Sequence, residues 1–215
     1  MLLEIKQANK VIRGDRILTN INLKMTPGEV VGLQGVNGSG KTMIMRLASG
    51  LMYPTTGEVV VEGKRLGKDI DFPSSLGLLI EAPAFLDYKS GFVNLELLAS
   101  IRNVCTRENI ECAIRRVGLD PELKRMYRKY SMGMKQRLGI AAALMEKPEL
   151  IILDEPTNAL DESGIEMLKR VILEERSRGA AILLSSHDGE FLSAVCDVVK
   201  TVRDGRLLER GSDEK

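Results

Sequence analysis

Apolar residues along the chain form short runs typical of strands, separated by longer stretches with helical spacing. Four aliphatic runs predict buried strands, at residues 30–33, 76–80, 150–153 and 180–185. Helical spacing predicts helices that begin near Lys41, Asp161 and Asp188. Because strands that alternate with helices pair in parallel, this order predicts an α/β fold with a mainly parallel sheet.

Strand patterns near both ends of the chain have a different character. Residues 2–6, 17–25 and 58–62 resemble strands, and in the second of them apolar and polar residues alternate strictly. This alternation predicts a half-buried, antiparallel β part at the N-terminus. Near the C-terminus, strand patterns at 198–203 and 206–209 flank Asp204-Gly205, a dipeptide that strongly favours a hairpin.

The middle of the chain predicts a cluster of helices, at residues 92–104, 107–117, 122–129 and 133–146. In the first of these helices, Leu95, Leu98 and Ile101 are expected to share one buried face. We therefore expect a single domain in which a helical sub-domain, residues 83–147, is inserted into an α/β core made of residues 1–82 and 148–215.

Composition excludes several classes of protein. The net charge of +1 produces no strong electrostatic field that would attract nucleic acid or anionic lipid. The three cysteines lack disulfide or metal-binding spacing, which indicates a reducing compartment. The N-terminus alternates like a strand and predicts no signal peptide. No apolar run reaches the roughly 18 residues that a membrane span needs.

The strongest chemical signal is a phosphate-binding loop between the first parallel strand and its helix. Its glycines let backbone amides converge on an anion, and the helix N-terminus adds a positive dipole end. Lys41 is placed to reach the β- and γ-phosphates of a nucleotide, and Thr42 to hold Mg²⁺. The loop fits G-x-x-x-x-G-K-[ST] with Gly35, Val36, Asn37, Gly38, Ser39, Gly40, Lys41 and Thr42.

Polar residues follow two later strands. Asp154 and Glu155 end the run at 150–153, and His187, the single histidine, follows the run at 180–185. Since the carboxyl ends of parallel strands form the ligand-binding edge, these side chains are expected to lie together. Asp154 is the candidate Mg²⁺ ligand, and Glu155 the candidate base for an attacking water.

A fourth element begins at Ser131, a good N-cap followed by Met132 and Gly133. The helix amides there offer another anion site, although a capped helix without a ligand explains the pattern equally well.

Taken together, these motifs resemble the ATP-binding subunit of ABC (ATP-binding cassette) transporters over essentially the whole chain. They occur in the family's order: phosphate loop, signature residues 131–135, the acidic pair, the loop at 158–161 and the histidine. The signature keeps Ser131 and Gly133, while Tyr130, Met132 and Met134 differ from the residues usual in the family.

The resemblance implies an ATPase that uses Mg²⁺ and pairs with a second copy of itself or a homologous ATPase subunit. Each ATP would lie between the phosphate loop of one subunit and Ser131 and Gly133 of the other. A transmembrane permease would dock at residues 84–88 and hold the ATPase at the cytoplasmic face of the membrane. No nucleic-acid partner is expected.

Two departures from the family's pattern are informative. Glu81 replaces the usual glutamine, as in the bacitracin- and lantibiotic-type exporters, and is a further candidate metal ligand. The exporter resemblance suggests a peptide or antibiotic as cargo. The aromatic residue that usually stacks on adenine is absent, which leaves Val11 or Ile12 to contact the base.

Other phosphate-loop proteins remain as alternatives. A small-molecule kinase would not contain the signature helix or the loop at 158–161. A chromosome or DNA-repair ATPase would need a long coiled coil between phosphate loop and signature, and no sustained heptads lie there. The remaining alternative is an ATPase of the same superfamily with a role other than transport.

Overall fold

The computed structural model describes residues 1–208, which form ten strands and six α-helices. The strands are β1 Leu3–Ile12, β2 Asp15–Met25, β3 Val30–Gln34, β4 Thr56–Val61, β5 Lys64–Arg65, β6 Leu76–Leu79, β7 Leu150–Leu153, β8 Ala181–Ser186, β9 Val198–Arg203 and β10 Arg206–Leu208. The helices are α1 Lys41–Ser49, α2 Gly91–Arg102, α3 Arg107–Arg116, α4 Met132–Leu144, α5 Glu162–Ser177 and α6 Gly189–Val195. Glu209, predicted to end the last strand, lies outside the described residues.

The strands form two sheets. The central sheet has the order β10-β9-β3-β8-β7-β6, and all its neighbours pair in parallel except β10 with β9. The second sheet, β2-β1-β4-β5, is antiparallel throughout. Both the predicted parallel sheet and the predicted N-terminal antiparallel part are confirmed.

Burial along the strands follows the sequence pattern. Every residue of β7 and β8 is buried, because apolar cores lie on both faces of the central sheet. In β2, by contrast, Ile21, Leu23 and Met25 are buried while the residues between them are exposed. One face of the antiparallel sheet therefore packs on a core and the other faces solvent, as the strict alternation predicts.

The prediction for the buried face of α2 was wrong. Leu95 is buried, but Leu98 is exposed and Ile101 is 78% exposed. Asn94 explains the difference, because its side chain accepts the Leu86 N–H (2.8 Å) and donates to the Leu86 carbonyl (3.1 Å). These two bonds turn Asn94 inward and rotate the leucine stripe partly toward solvent.

The predicted helix at 122–129 does not form. The Asp120 carboxylate accepts the Glu122 N–H in a local turn, at 2.9 Å. Further along, the Tyr127 and Arg128 amides donate to the carbonyls of Lys89 and Asp87. Because these amides are used across the structure, they cannot form helical bonds, and only a single turn of 3₁₀-helix remains, Tyr127–Lys129.

An ion cluster centred on the buried Glu175 joins the helical region to α5. Glu175 is 2% exposed and accepts hydrogen bonds from Arg116 at 2.6 Å and Arg178 at 2.8 Å. Arg116 also bonds Glu174, so α3 is fixed to α5 by charged groups as well as by apolar packing.

The division of the domain at residues 83 and 147 stays a prediction. Within residues 1–208, no helix is both long and apolar enough to cross a membrane.

Candidate nucleotide-binding site

The phosphate loop connects β3 to α1 and leaves the helix N-terminus free of a side-chain cap. Gly40 occupies the N-cap position with φ +111°, a conformation that favours glycine, and provides no capping side chain. The first amides of α1 are therefore available to an anion. A Cβ at Gly38 would meet nothing within 4 Å, so this part of the loop faces open space.

Lys41 lies beneath the loop rather than in solvent. Its Nζ donates to the Gly35 carbonyl at 2.7 Å and forms an ion pair with Glu155 Oε1 at 3.1 Å. The side chain is only 6% exposed. The Lys41 ammonium therefore lies at the phosphate loop, and the Glu155 carboxylate balances its charge.

The Asp154 carboxylate connects three elements of the fold. Oδ2 accepts a hydrogen bond from the Thr42 hydroxyl at 2.7 Å, and Oδ1 accepts one from the Ser185 hydroxyl at 2.6 Å. The Ser185 oxygen in turn accepts the Glu155 N–H at 2.8 Å. The start of α1 and the ends of β7 and β8 are thereby held together by one buried acid.

Glu155 occupies a constrained position between Lys41 and His187. Its φ of +45° lies in the left-handed region, which costs energy for a residue with a side chain. Oε2 lies 3.1 Å from His187 Nδ1. The buried Gln136 side chain donates to the backbone carbonyl of Pro156 at 3.2 Å and so supports the turn that follows Glu155. The predicted meeting of Asp154, Glu155 and His187 at one sheet edge is confirmed, while their roles stay predictions.

Glu81 does not join the Thr42–Asp154 pair. It follows β6 with φ +61° and forms an ion pair with Arg46 of α1. Its side chain is 63% exposed and lines the rim of a cavity of about 660 Å³ whose wall also includes Asp154 and Glu155. A role for Glu81 at a metal therefore stays a prediction.

The signature residues begin α4 on a separate surface. Ser131 caps the helix by accepting the Met134 N–H at 3.2 Å. Gly133 lies so close to the loop at 158–161 that a Cβ would come within 2.9 Å of the Ala159 carbonyl. Among the described residues, neither Ser131 nor Gly133 bonds the phosphate loop, which agrees with an arrangement in which they serve another subunit.

The groups around Asp154 fit a magnesium ion. Thr42 and Asp154 provide a hydroxyl and a carboxylate, the hard oxygen ligands that Mg²⁺ prefers. Within residues 1–208, no group of three His, Cys, Asp or Glu side chains is placed to bind a metal. This small donor set suits Mg²⁺, which usually keeps several waters and takes other ligands from substrate phosphates.

The adenine contact stays a prediction as well. Val11 and Ile12 stand at the end of β1, and each is somewhat more than one third exposed. Both offer apolar surface without the stacking face of an aromatic ring.

Comparison with known proteins decides the family. A family model described as ABC transporter matches residues 18–158. The chain belongs to the ABC transporter family. It is an ATP-binding subunit and an ATPase of this family.

Individual relatives agree with this assignment. An uncharacterized ABC transporter ATP-binding protein, YybJ of Bacillus subtilis (strain 168), is 42% identical over 96% of the chain and 94% of that protein. The bacitracin transport ATP-binding protein BcrA of Enterococcus faecalis is 37% identical over 97% of the chain and 68% of that protein. A solved ATP-binding subunit of an ABC transporter matches with a TM-score of 0.87 and 29% identity, over 96% of this chain and 88% of that one.

Sequence reasoning missed two supporting side chains of this ABC subunit. Gln136 stands between Lys135 and Arg137 in α4, so nothing in the pattern separates it from these charged neighbours, although its side chain is buried and donates to the Pro156 carbonyl. Arg46 gave no signal, because its partner Glu81 lies 35 residues away along the chain.

We expect Ser185→Ala to destabilise the protein by about 1–3 kcal/mol, because the buried Glu155 N–H and one Asp154 oxygen lose their partner. ATP hydrolysis should fall as well, since both acids would shift. Urea unfolding and steady-state hydrolysis measure the two effects.

The matched control is Ser186→Ala, in the same buried strand, whose hydroxyl bonds the Asp188 N–H and the Thr157 hydroxyl instead of Asp154 or Glu155. It should hydrolyse ATP close to the parental rate. Equal loss of activity in both variants would contradict a specific role for Ser185.

Proposed function

We propose that this chain drives a separate membrane permease by hydrolysing Mg-ATP between two ATPase subunits, and that the transporter exports a peptide antibiotic. The ATPase part of this proposal rests on one observation. Five side chains lie together around the uncapped N-terminus of α1: Lys41, Thr42, Asp154, Glu155 and His187.

The phosphate loop and Lys41 form the binding half of the site. The uncapped amides of α1 and the Lys41 ammonium attract the β- and γ-phosphates, which carry most of the nucleotide's charge. Since Lys41 is paired with Glu155 in the protein alone, bound phosphate competes for that ammonium. Nucleotide binding therefore loosens the Glu155 carboxylate from its cation.

Thr42 and Asp154 would hold the magnesium ion. When bound, Mg²⁺ shields phosphate charge and orients the phosphates for transfer. Asp154 is suited to this task because Ser185 keeps one of its oxygens in place while the other faces Thr42.

Glu155 and His187 would act on the attacking water. A loosened Glu155 can accept the proton of a water, and a mobile base of this kind is what hydrolysis requires. His187 is 68% exposed, and its Nδ1 contacts Glu155 Oε2. It would therefore hold Glu155 from the solvent side of the site.

A second subunit would complete the site. Its Ser131 hydroxyl and the amides near Gly133 would supply hydrogen-bond donors on the far side of the γ-phosphate, where a loose transition state needs them. Met132, at the start of α4, is 69% exposed. An exposed apolar side chain at this position agrees with a surface that contacts a second subunit.

Residues 84–88 remain the proposed contact with the permease. Leu86 and Tyr88 are exposed, while Phe85 packs edge-on against Tyr127 at 5.3 Å. Ala84, Phe85 and Asp87 of this segment line the same cavity as Asp154 and Glu155. A displacement of the segment by the permease would therefore reach the two acids. Such a contact would place the ATPase at the cytoplasmic face of the membrane.

Two sources support a peptide antibiotic as cargo. One is Glu81, the acid shared with the bacitracin- and lantibiotic-type exporters. The other is the similarity to BcrA, whose name assigns it to bacitracin transport.

We expect Lys41→Ala to weaken ATP binding by about ten- to a hundred-fold, because charge-assisted hydrogen bonds to phosphate are lost. Hydrolysis should fall with it. Lys24→Ala is the control, since Lys24 is 65% exposed and, within residues 1–208, forms an ion pair with Glu4 alone. Hydrolysis by Lys41→Ala at the rate of Lys24→Ala would refute the nucleotide assignment.

We expect Glu155→Gln to accumulate an ATP-bound dimer. The amide keeps the shape of the side chain but cannot take a proton, so ATP stays between the subunits. Light scattering with Mg-ATP measures the mass, and Glu162→Gln, in the first turn of α5, provides an acid-to-amide control. A Glu155→Gln protein that binds ATP yet stays monomeric at high concentration would argue against Ser131 and Gly133 acting across subunits.

The cargo is tested in cells. Co-expression with the cognate permease should raise the bacitracin concentration that a sensitive bacterium survives, and Lys41→Ala should remove this protection. Chloramphenicol, a small antibiotic that is not a peptide, serves as the control. No protection against any peptide antibiotic would refute the cargo while leaving the ATPase assignment intact.

A further inference from the structure

The inner side of the phosphate loop packs against the hairpin formed by β9 and β10. A Cβ at Gly35 would lie 2.4 Å from the Val202 carbonyl oxygen, and a Cβ at Gly40 would lie 3.3 Å from the Gly205 Cα. A Cβ at Gly38, by contrast, would meet nothing within 4 Å. Two glycines of the loop are therefore in contact with the hairpin, and the third faces the side from which a ligand enters.

The hairpin turn is also hydrogen-bonded to the loop. The Gly205 N–H donates to the Ser39 carbonyl at 2.9 Å, and the Gly205 carbonyl accepts the Thr19 N–H of β2 at 2.8 Å. Gly205 thus connects β2 to the residue that precedes the N-cap of α1. Ser39 is itself buried, with no hydrogen-bond partner for its Oγ among the described residues.

No other residue fits at position 205 without moving the turn. Gly205 has φ +69°, and a Cβ there would lie 2.1 Å from the carbonyl oxygen of Ile17. That oxygen belongs to the backbone of β2 and cannot rotate away as a flexible side chain can. A side chain would displace the turn and break its bond to Ser39.

We propose that Gly205, in the turn between β9 and β10, is a positioning residue of the nucleotide site, which fixes the Ser39 carbonyl and so holds the phosphate loop in shape before a nucleotide binds. Gly205 itself contacts no phosphate and acts through Ser39 and Gly40. A loop that is ordered in advance loses less entropy on binding, so the turn contributes to affinity. The identity of the ligand rests on the function proposed above.

Asp204 offers a matched control within the same turn. Its φ of +46° is also left-handed, so alanine at either position bears backbone strain. The Asp204 side chain, however, is 92% exposed and faces Arg203, with which it forms a weak ion pair at 3.8 Å. The two alanine variants differ in contact with β2 and the loop, not in the kind of strain.

Equilibrium binding and steady-state kinetics form the first test. Gly205→Ala should weaken ATP binding and raise KM by about ten-fold, while kcat at saturating ATP stays within about two-fold of the parent. Asp204→Ala should match the parent in both. Equal ATP affinity in the two variants, both folded by circular dichroism, would overturn the proposal.

Hydrogen exchange in nucleotide-free protein is the second test. Amides of residues 36–41 should exchange faster in Gly205→Ala than in Asp204→Ala, and equal rates would overturn the proposal. Because no nucleotide is present, this result stands apart from the Lys41→Ala experiment, which decides the nucleotide assignment.

A measurement on the parent protein covers the case in which Gly205→Ala does not fold. Coupling between two sites is reciprocal, so saturating Mg-ATP should slow exchange of the Gly205 amide. An unchanged rate at Gly205, in protein whose residues 36–41 are protected by ATP, would contradict the proposed coupling.

Discussion

The buried carboxylate of Asp154 is the constraint on which the site depends. A charge that is 6% exposed is costly unless hydrogen bonds replace the water that it has lost. Hydroxyls from Thr42 and Ser185 meet that need, one from the start of α1 and one from β8. The hydrogen bonds that Asp154 needs therefore align the phosphate loop, the turn at Glu155 and the strand that leads to His187. The bonds that stabilise the fold are the same bonds that position the side chains of the site.

The balance of charge around Glu155 explains how the site can be both stable and reactive. In the protein alone, Lys41 and Glu155 neutralise each other in a position shielded from solvent. Neither group is then left as an isolated charge, which would be unfavourable at that depth. Under the proposed function, the same pairing would restrain Glu155 until a phosphate binds Lys41. Activation would then be an exchange of one counter-ion of Lys41 for another.

Local patterns in the sequence are enough to predict the sheet type, the cap at Ser131 and the convergence of the two acids with the histidine. These features depend on neighbours along the chain, or on the rule that parallel strands end at one edge. The helix predicted at 122–129 does not form, because amides in this segment bond the carbonyls of residues 87 and 89. The predicted apolar face of α2 is only partly buried, because Asn94 turns inward. Such contacts join distant parts of the chain, so periodicity cannot show them.

The packing of the hairpin on the phosphate loop has a consequence for biosynthesis. A nascent chain carries Gly35 and Lys41 long before Val202 and Gly205 leave the ribosome, because the chain is made from its N-terminus. Until then Ser39 lacks the N–H that fixes its carbonyl, and β3 lacks its parallel neighbour β9. If Gly205 positions the loop as proposed, the nascent chain binds ATP more weakly until the hairpin of β9 and β10 has left the ribosome. The rise in ATP affinity would then come late in translation.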